Sequence, residues 1–225
     1  MKKVFFTSDP HFTHKNILYF KPERRTQAGI SLEELREGDE REILRRHDDW
    51  LVEKWNATVG KEDDVYILGD ICLSNRENTE KILRRLHGQK YLINGNHDKS
   101  CRGLENYFVW TGDINEVKFS HQTYPFIKEG ETFCVELCHY PLLTWNRRTH
   151  GSCMAHGHCH GSTDKINEDS LELRVDVGFD SILGGLELVP LEKLYAHYRG
   201  IIAKQGMDTF QDYANWLMEK QGFRM

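Results

Sequence analysis

Five short apolar runs in this chain end in residues able to bind a metal. VFFTSDPH carries Asp9 and His11, VYILGD carries Asp70, and YLINGNHD carries Asn96, His97 and Asp98. VELCH supplies His139, and MAHGHCHG supplies His156, His158 and His160. A strand that ends in Asp, Asn or His delivers it to the carboxyl edge of a sheet, where open α/β sheets form their ligand crevices. Five such deliveries to one edge would build a metal centre from sequence-distant pieces. The donors are carboxylates, an amide and imidazoles, a mixture that suits borderline ions such as Mn2+, Fe2+ or Zn2+ better than Mg2+, which prefers oxygen and water.

The elements that must position these residues follow an α/β alternation of strand-like and helix-like segments. Ile43, Leu44, Trp50, Leu51 and Trp55 form a stripe of helical period that predicts a helix from about Asp39 to Asn56, packed on a sheet. A second helix is predicted from about Asn78 to His87, with Gly88 as its stop and a strand from Tyr91 to Ile93 directly after it. Lys21 to Glu37 is too mixed to assign beyond a loop with a short helix. Lys118 to Glu136 reads as β-rich with a turn near Glu129-Gly130, and Leu171 to Val177 alternates as a half-buried strand with Asp176 on its polar face. Pro190 opens a helix bearing Leu191, Leu194, Tyr195 and Tyr198, and Phe210 to Met218 supplies a last amphipathic helix that closes the core.

With 225 residues the chain is expected to form one domain, 1–225, burying roughly seventy per cent of its unfolded surface. A net charge of −5 makes no demand for nucleic acid or an anionic membrane as partner. The apolar start breaks at Thr7-Ser8-Asp9, short of the core of a signal peptide, and no run approaches a membrane span, so a cytoplasmic protein with no membrane partner is expected. The six cysteines form no C-x-x-C pair and read as free thiols; Cys138 and Cys159, beside proposed ligands, are taken as small buried hydrophobes.

The order Asp-x-His, Gly-Asp, Gly-Asn-His-Asp, a lone His and Gly-His-x-His resembles the calcineurin-like metallophosphoesterases. The motifs run from Asp9 to His160, about two thirds of the chain. Gly-Asn-His-Asp and Gly-His-x-His are specific together, whereas Asp-x-His and Gly-Asp alone would be weak. The resemblance implies a metallophosphoesterase-type sandwich of two central mixed β-sheets flanked by helices. It further implies that Asp9, His11, Asp70 and His160 hold one divalent ion, with Asp70 bridging to a second held by Asn96, His139 and His158. The ions are expected to be Mn2+, with Fe2+, Zn2+ or Ni2+ as alternatives. A hydroxide bridging them is the expected nucleophile. His97 is expected to act at the leaving-group oxygen, oriented by Asp98; imidazole suits proton transfer near neutral pH.

Each motif also has a plainer meaning. Alone, Asp9 reads as a turn residue and Asp70 as a helix cap, His97 as a turn histidine and His139 as a satisfied strand-end histidine. The cap readings lose force when the motifs are taken together. His156 falls outside the pattern and is expected behind the ligands or exposed. His14, Arg147 and Arg148 are weaker candidates for holding a phosphate or a base, since Arg-Arg more commonly means a solvated loop. The expected activity is phosphoester hydrolysis of a small phosphodiester or nucleotide-like substrate, with a monoesterase or nuclease of the same superfamily as the alternative. The contrasting expectation is an inactive scaffold of this fold that binds a protein partner; such proteins lack a ligand or the catalytic His, and here none is missing. Nucleic acid is not the favoured partner, and the sequence leaves the oligomeric state open.

Overall fold

The computed structural model describes residues 2–220. Strand β1 (Val4–Thr7) is parallel to β2 (Asp64–Ile67), β2 to β3 (Gln89–Ile93), and β3 to β4 (Trp110–Gly112). The short antiparallel β9 (Val189–Pro190) completes this first sheet in the order β4-β3-β2-β1-β9. The second sheet has the order β5-β6-β7-β8, from β5 (Ile114–Ser120), β6 (Thr132–Cys138), β7 (Cys153–His156) and β8 (Arg174–Asp176). Only β5 runs antiparallel there. Both sheets are therefore mixed, and helices flank them.

Burial on both faces explains why the strands read as continuous apolar runs. Phe6 faces the core between the sheets, with Phe133, Val135 and Leu137 of β6. Its neighbour Phe5 faces the opposite way, toward Leu51, Val52 and Trp55 of α4 (Glu40–Thr58) and Ile82 and Leu83 of α5 (Arg76–Arg85). Beyond α6 (Asp164–Ser170), Leu194, Tyr198 and Ile202 of α7 (Leu191–Lys204) and Phe210 and Tyr213 of α8 (Phe210–Lys220) join the inter-sheet core. Asp39 caps α4 and Asn75 caps α5, each accepting backbone N–H bonds of the first turn. Among the described residues, no helix is long and apolar enough to cross a membrane.

Three expectations need correction. The mixed stretch after the first motif is more helical than its composition suggests: α1 (Ile17–Phe20) is followed by α2 (Pro22–Gln27) and α3 (Leu32–Glu37), the last closed by a Ser31/Glu34 capping box. The inward face of α4 is not purely apolar, because His47 and Asp48 are buried in it, and Asp48 accepts bonds from Thr13 N and Oγ1. The strand around Leu171 to Val177 is only three residues long, and Asp176, expected on the wet face, is fully buried. Its carboxylate accepts from the backbone N–H groups of Gly161 and Gly178. Burial pushes its pKa up to about 6, against the pull of those two bonds.

Candidate metal centre

Parallel pairing puts the carboxyl ends of β1, β2 and β3 at one edge, and a backbone ladder continues past the strands. Asp9 N donates to Gly69 O, His11 N to Asp70 O and Phe12 N to Ile71 O, so the first two loops run side by side. The second sheet is tied to the same edge where Phe179 N donates to Ser8 O and Ser8 bridges Gly178. Gly69 makes the turn at φ +94°, and a Cβ there would stand 2.5 Å from His139 Nδ1, so only glycine lets the loop pass the imidazole.

The backbone of the ligand candidates is itself unusual. Asp9, His11, Asp70, His158 and His160 all hold φ between 48° and 67°, the left-handed region that non-glycine residues avoid. Such conformations cost about 1 kcal/mol or more each, persist only where surrounding structure imposes them, and cluster at functional sites.

The side chains converge. His11 Nε2 lies 3.5 Å from Asp9 Oδ1 and 3.7 Å from Asp70 Oδ2. His160 Nε2 lies 3.6 Å from Asp9 Oδ1, and His139 Nε2 lies 3.8 Å from Asp70 Oδ2. Donors each about 2.1 Å from one ion would stand roughly 3 to 3.5 Å apart, close to these separations. Asp9 Oδ1 and His11 Nε2 are buried with no hydrogen-bond partner among the described residues. The tautomers reinforce the point. His139 Nδ1 must donate to the carbonyl of Leu68 at 2.7 Å, so in the neutral ring Nε2 presents a lone pair, 3.0 Å from Asn96 Oδ1. His160 Nδ1 donates to Asp180 Oδ2 at 2.8 Å, which likewise turns a lone pair toward Asp9. Lone pairs facing lone pairs favour a cation between them, and the residues present fit a divalent ion. Burial alone would raise the Asp9 carboxyl; positive charge on the surrounding imidazoles, His11 first and then His160 and His139, holds it below the ordinary carboxylate range, as a cation placed among neutral rings would.

The remaining candidates are placed less uniformly. His158 is exposed; its ring stands edge-on to His139, and its backbone N donates to Asp9 Oδ2 at 2.8 Å. His97 is half exposed, with Nε2 4.0 Å from Asp70 Oδ2 and its backbone N donating to Asp70 Oδ1. Asp98 does not reach the His97 ring. Its oxygens accept from Asp70 N, Ile71 N and Gly95 N, which clamps the second motif's loop to the third's. His14 lies at the centre, its Nδ1 3.0 Å from His11 Nδ1 and its ring stacked on that of His11. Burial, then the neighbouring His11, brings its pKa down to about 4.

Arg148 is spent elsewhere, its guanidinium forked onto the Glu172 carboxylate. Arg147 is exposed, and its charge falls on Lys118 and Cys134 of the second sheet. His156 is fully buried rather than exposed, bonded through Nδ1 to Gly157 O and through Nε2 to Asn167. The cysteines are free, and Cys138 turns away to pack with Trp145 and Met154.

Sequence reasoning missed the brace behind the centre. Arg24 is fully buried; it forks onto Asp180 at 2.6 and 2.8 Å and donates to the carbonyls of Pro10 and Asp9. Asp180 in turn orients His160. Asp180 had a signal, since VDVGFD ends a strand in Gly-x-Asp much as the recognised motifs do. Arg24, inside the charged run KPERR, had none.

No family model matches the chain. The chain is 32% identical over 101 residues to the uncharacterized protein MJ1445 of Methanocaldococcus jannaschii, covering 44% of this chain and 48% of that protein. It therefore spans about half the length of that relative. It is 25% identical over 228 residues to the gene 66 protein of Mycobacterium phage L5, covering 93% of this chain and 100% of the phage protein. Among solved structures, the protein of unknown function AQ665 from Aquifex aeolicus superposes with a TM-score of 0.59 at 20% identity, over 88% of this chain and 100% of that one. That likeness shows a common fold.

Proposed function

We propose that this protein is a metal-dependent phosphoesterase with the metallophosphoesterase sandwich, acting on a small phosphodiester or nucleotide-like substrate. The observation that supports this most is the unpartnered pair at the floor of the crevice, Asp9 Oδ1 and His11 Nε2, flanked by imidazole lone pairs whose tautomers are fixed from behind. In this reading Asp9, His11, Asp70 and His160 hold one divalent ion, and Asp70, Asn96, His139 and His158 hold the other. Asp70 would suit the shared position because its Oδ2 faces both His11 Nε2 and His139 Nε2 while its Oδ1 accepts from His97 N, and its charge would screen two cations from each other. Two such ions, when bound, lower the pKa of water toward neutrality and polarise a phosphoryl group.

The chain's own part is to orient the substrate and move a proton. His97 is a half-exposed imidazole that the proposed ligand set leaves free, and its backbone bond to Asp70 Oδ1 ties its position to the shared carboxylate. From there Nε2 can donate to a leaving-group oxygen. Asp98 supports this indirectly by fixing the turn on which His97 sits.

The test is hydrolysis of bis(p-nitrophenyl) phosphate with Mn2+, Fe2+, Zn2+ and Ni2+ in turn, using the native protein and His97→Ala. Turnover is expected to drop by about 10²- to 10⁴-fold in the variant while its metal content stays that of the native protein. No turnover by the native protein with any of the four ions would overturn the proposal and favour a protein-binding scaffold.

A further inference from the structure

His139, His160 and His11 each turn Nε2 toward the paired carboxylates, and they are held from behind in two different ways. His139 and His160 are backed by a carbonyl and a carboxylate, acceptors with no hydrogen to give, so each must keep its own hydrogen on Nδ1. His11 is backed by another imidazole. Its Nδ1 lies 3.0 Å from Nδ1 of His14, and the two rings stack with centroids 5.1 Å apart. Two bare lone pairs would repel at that separation and two N–H groups would clash, so one proton lies between the rings, and either ring can supply it.

The loop is built to hold this contact. Thr13, between the two histidines, has φ of 57°, an outlier for a β-branched residue. Its backbone N and its Oγ1 both donate to the buried Asp48 of α4, which imposes a conformation that costs about 1 kcal/mol or more. His14 itself is half-buried. Its Nε2, across the ring from this contact, bonds to nothing among the described residues and is open to solvent.

The carboxylates decide which ring supplies the proton. In the metal-free protein Asp9 Oδ1 and Asp70 Oδ2, 3.5 and 3.7 Å from His11 Nε2, favour a hydrogen on that nitrogen. His11 Nδ1 is then bare and accepts from His14. A divalent ion at His11 Nε2 needs the lone pair there, so the ring's hydrogen must sit on Nδ1, pointing at His14. His14 then has to accept, which puts its own hydrogen on Nε2. Both arrangements carry two N–H hydrogens on the pair: the inner one passes from His14 to His11, His11 Nε2 gives one to water, and His14 Nε2 takes one from water. No net proton is released.

Resting on the metal centre of the phosphoesterase reading, we propose that His14 is a positioning residue for His11 and that the pair exchanges tautomers when the centre is loaded. His14 Nε2 is an acceptor in the metal-free protein and an N–H donor in the loaded one.

The experiment reads the ring nitrogens by long-range proton–nitrogen correlation NMR on histidine-labelled protein, stripped by chelator or loaded with diamagnetic Zn2+. The His14 signals are assigned by their loss in His14→Asn. His14 is expected to carry its hydrogen on Nδ1 without zinc and on Nε2 with it. An unchanged His14 pattern beside a His11 that shifts on loading overturns the proposal. Manganese titration gives a second readout. His14→Leu, which keeps the bulk but cannot accept, is expected to weaken one of the two equivalents by about 10- to 100-fold. His14→Asn, whose amide oxygen can stand where Nδ1 stood, is expected to recover most of that loss. Native affinity in His14→Leu, or equal loss in the two variants, also overturns the proposal. Neither readout uses a substrate. A tautomer exchange in a protein that hydrolyses no diester with any of the four ions overturns the phosphoesterase reading and leaves the role of His14 standing. Diester turnover with a fixed His14 tautomer does the reverse, and zinc that leaves the His11 signals unmoved overturns both.

Discussion

On one side of Asp70 the donors are braced from behind and mostly buried; on the other only His139 is, and Asn96 and His158 stand in the open. Asp9 and His11 lie at 0% and 4% exposure, and His160 is held by Asp180, itself gripped by the buried Arg24. Asn96 and His158 are exposed, and Asn96 already touches His139 at 3.0 Å. An amide that turns over can present its N–H₂ to the imidazole lone pair and satisfy it. A carboxylate has no donor to turn. The Asp9 side therefore relieves itself only by taking up positive charge, as a metal ion or as protons on its imidazoles, whereas the Asn96 side can satisfy itself from within. Pre-ordered donors lose less freedom on binding, so the Asp9 side should bind its ion more tightly.

Asp70→Ala should erase the difference by removing the residue both sides share: both metal equivalents and all measurable turnover are expected to disappear, read by elemental analysis and the diester assay. Retention of a full equivalent would mean that Asp70 does not bridge. Asp180→Asn acts on the braced side alone. It leaves the buried Arg24 guanidinium without its counter-charge, which should cost about 3 to 5 kcal/mol in a denaturant melt. It should also weaken the Asp9-side ion by about 10- to 100-fold in a manganese titration. Dialysis of the native protein against a weak chelator sharpens the comparison without mutation. One equivalent is expected to leave first, and His158→Ala should bind only the other; simultaneous loss of both would break the comparison.

The smallest effect concerns His47, fully buried on α4 with both ring nitrogens unpartnered among the described residues. Burial, then the nearby Arg24 charge, lowers its pKa to about 3 from an ordinary 6.5. A group depressed on folding contributes stability that is complete above its unfolded pKa and is lost as pH falls toward the folded one. The chelated protein should therefore lose roughly 2 kcal/mol through this residue between pH 6.5 and pH 4.5, and His47→Leu should not. Parallel thermal melts at the two pH values check this; equal losses in both proteins would put the acid sensitivity elsewhere.

The ligand candidates were legible because each sits at the end of an apolar run, where polarity changes abruptly. Asp9, Asp70 and His139 stand out against Phe6, Leu68 and Leu137 with no knowledge of what lies opposite. The main helices were legible for the same reason, since α4 and α7 show their period along the chain. What supports the site was not. Asp98 looks like the natural partner of its neighbour His97, yet its carboxylate turns to three backbone N–H groups, two of them in the loop of Asp70. Arg24 and Asp180 are 156 residues apart, and no local pattern announces an ion pair that only the meeting of two loops creates. Arg148 misleads in the opposite sense, because its place near the His139 strand says nothing of Glu172.

The left-handed backbone at Asp9, His11, Asp70, His158 and His160 places each where glycine would rest with less strain. Directed evolution toward heat resistance, run without any requirement for turnover, should therefore accumulate glycines at these five positions and dissolve the crevice while hardening the fold around it. The sandwich would survive such a regime, and its chemistry would be the first thing to go.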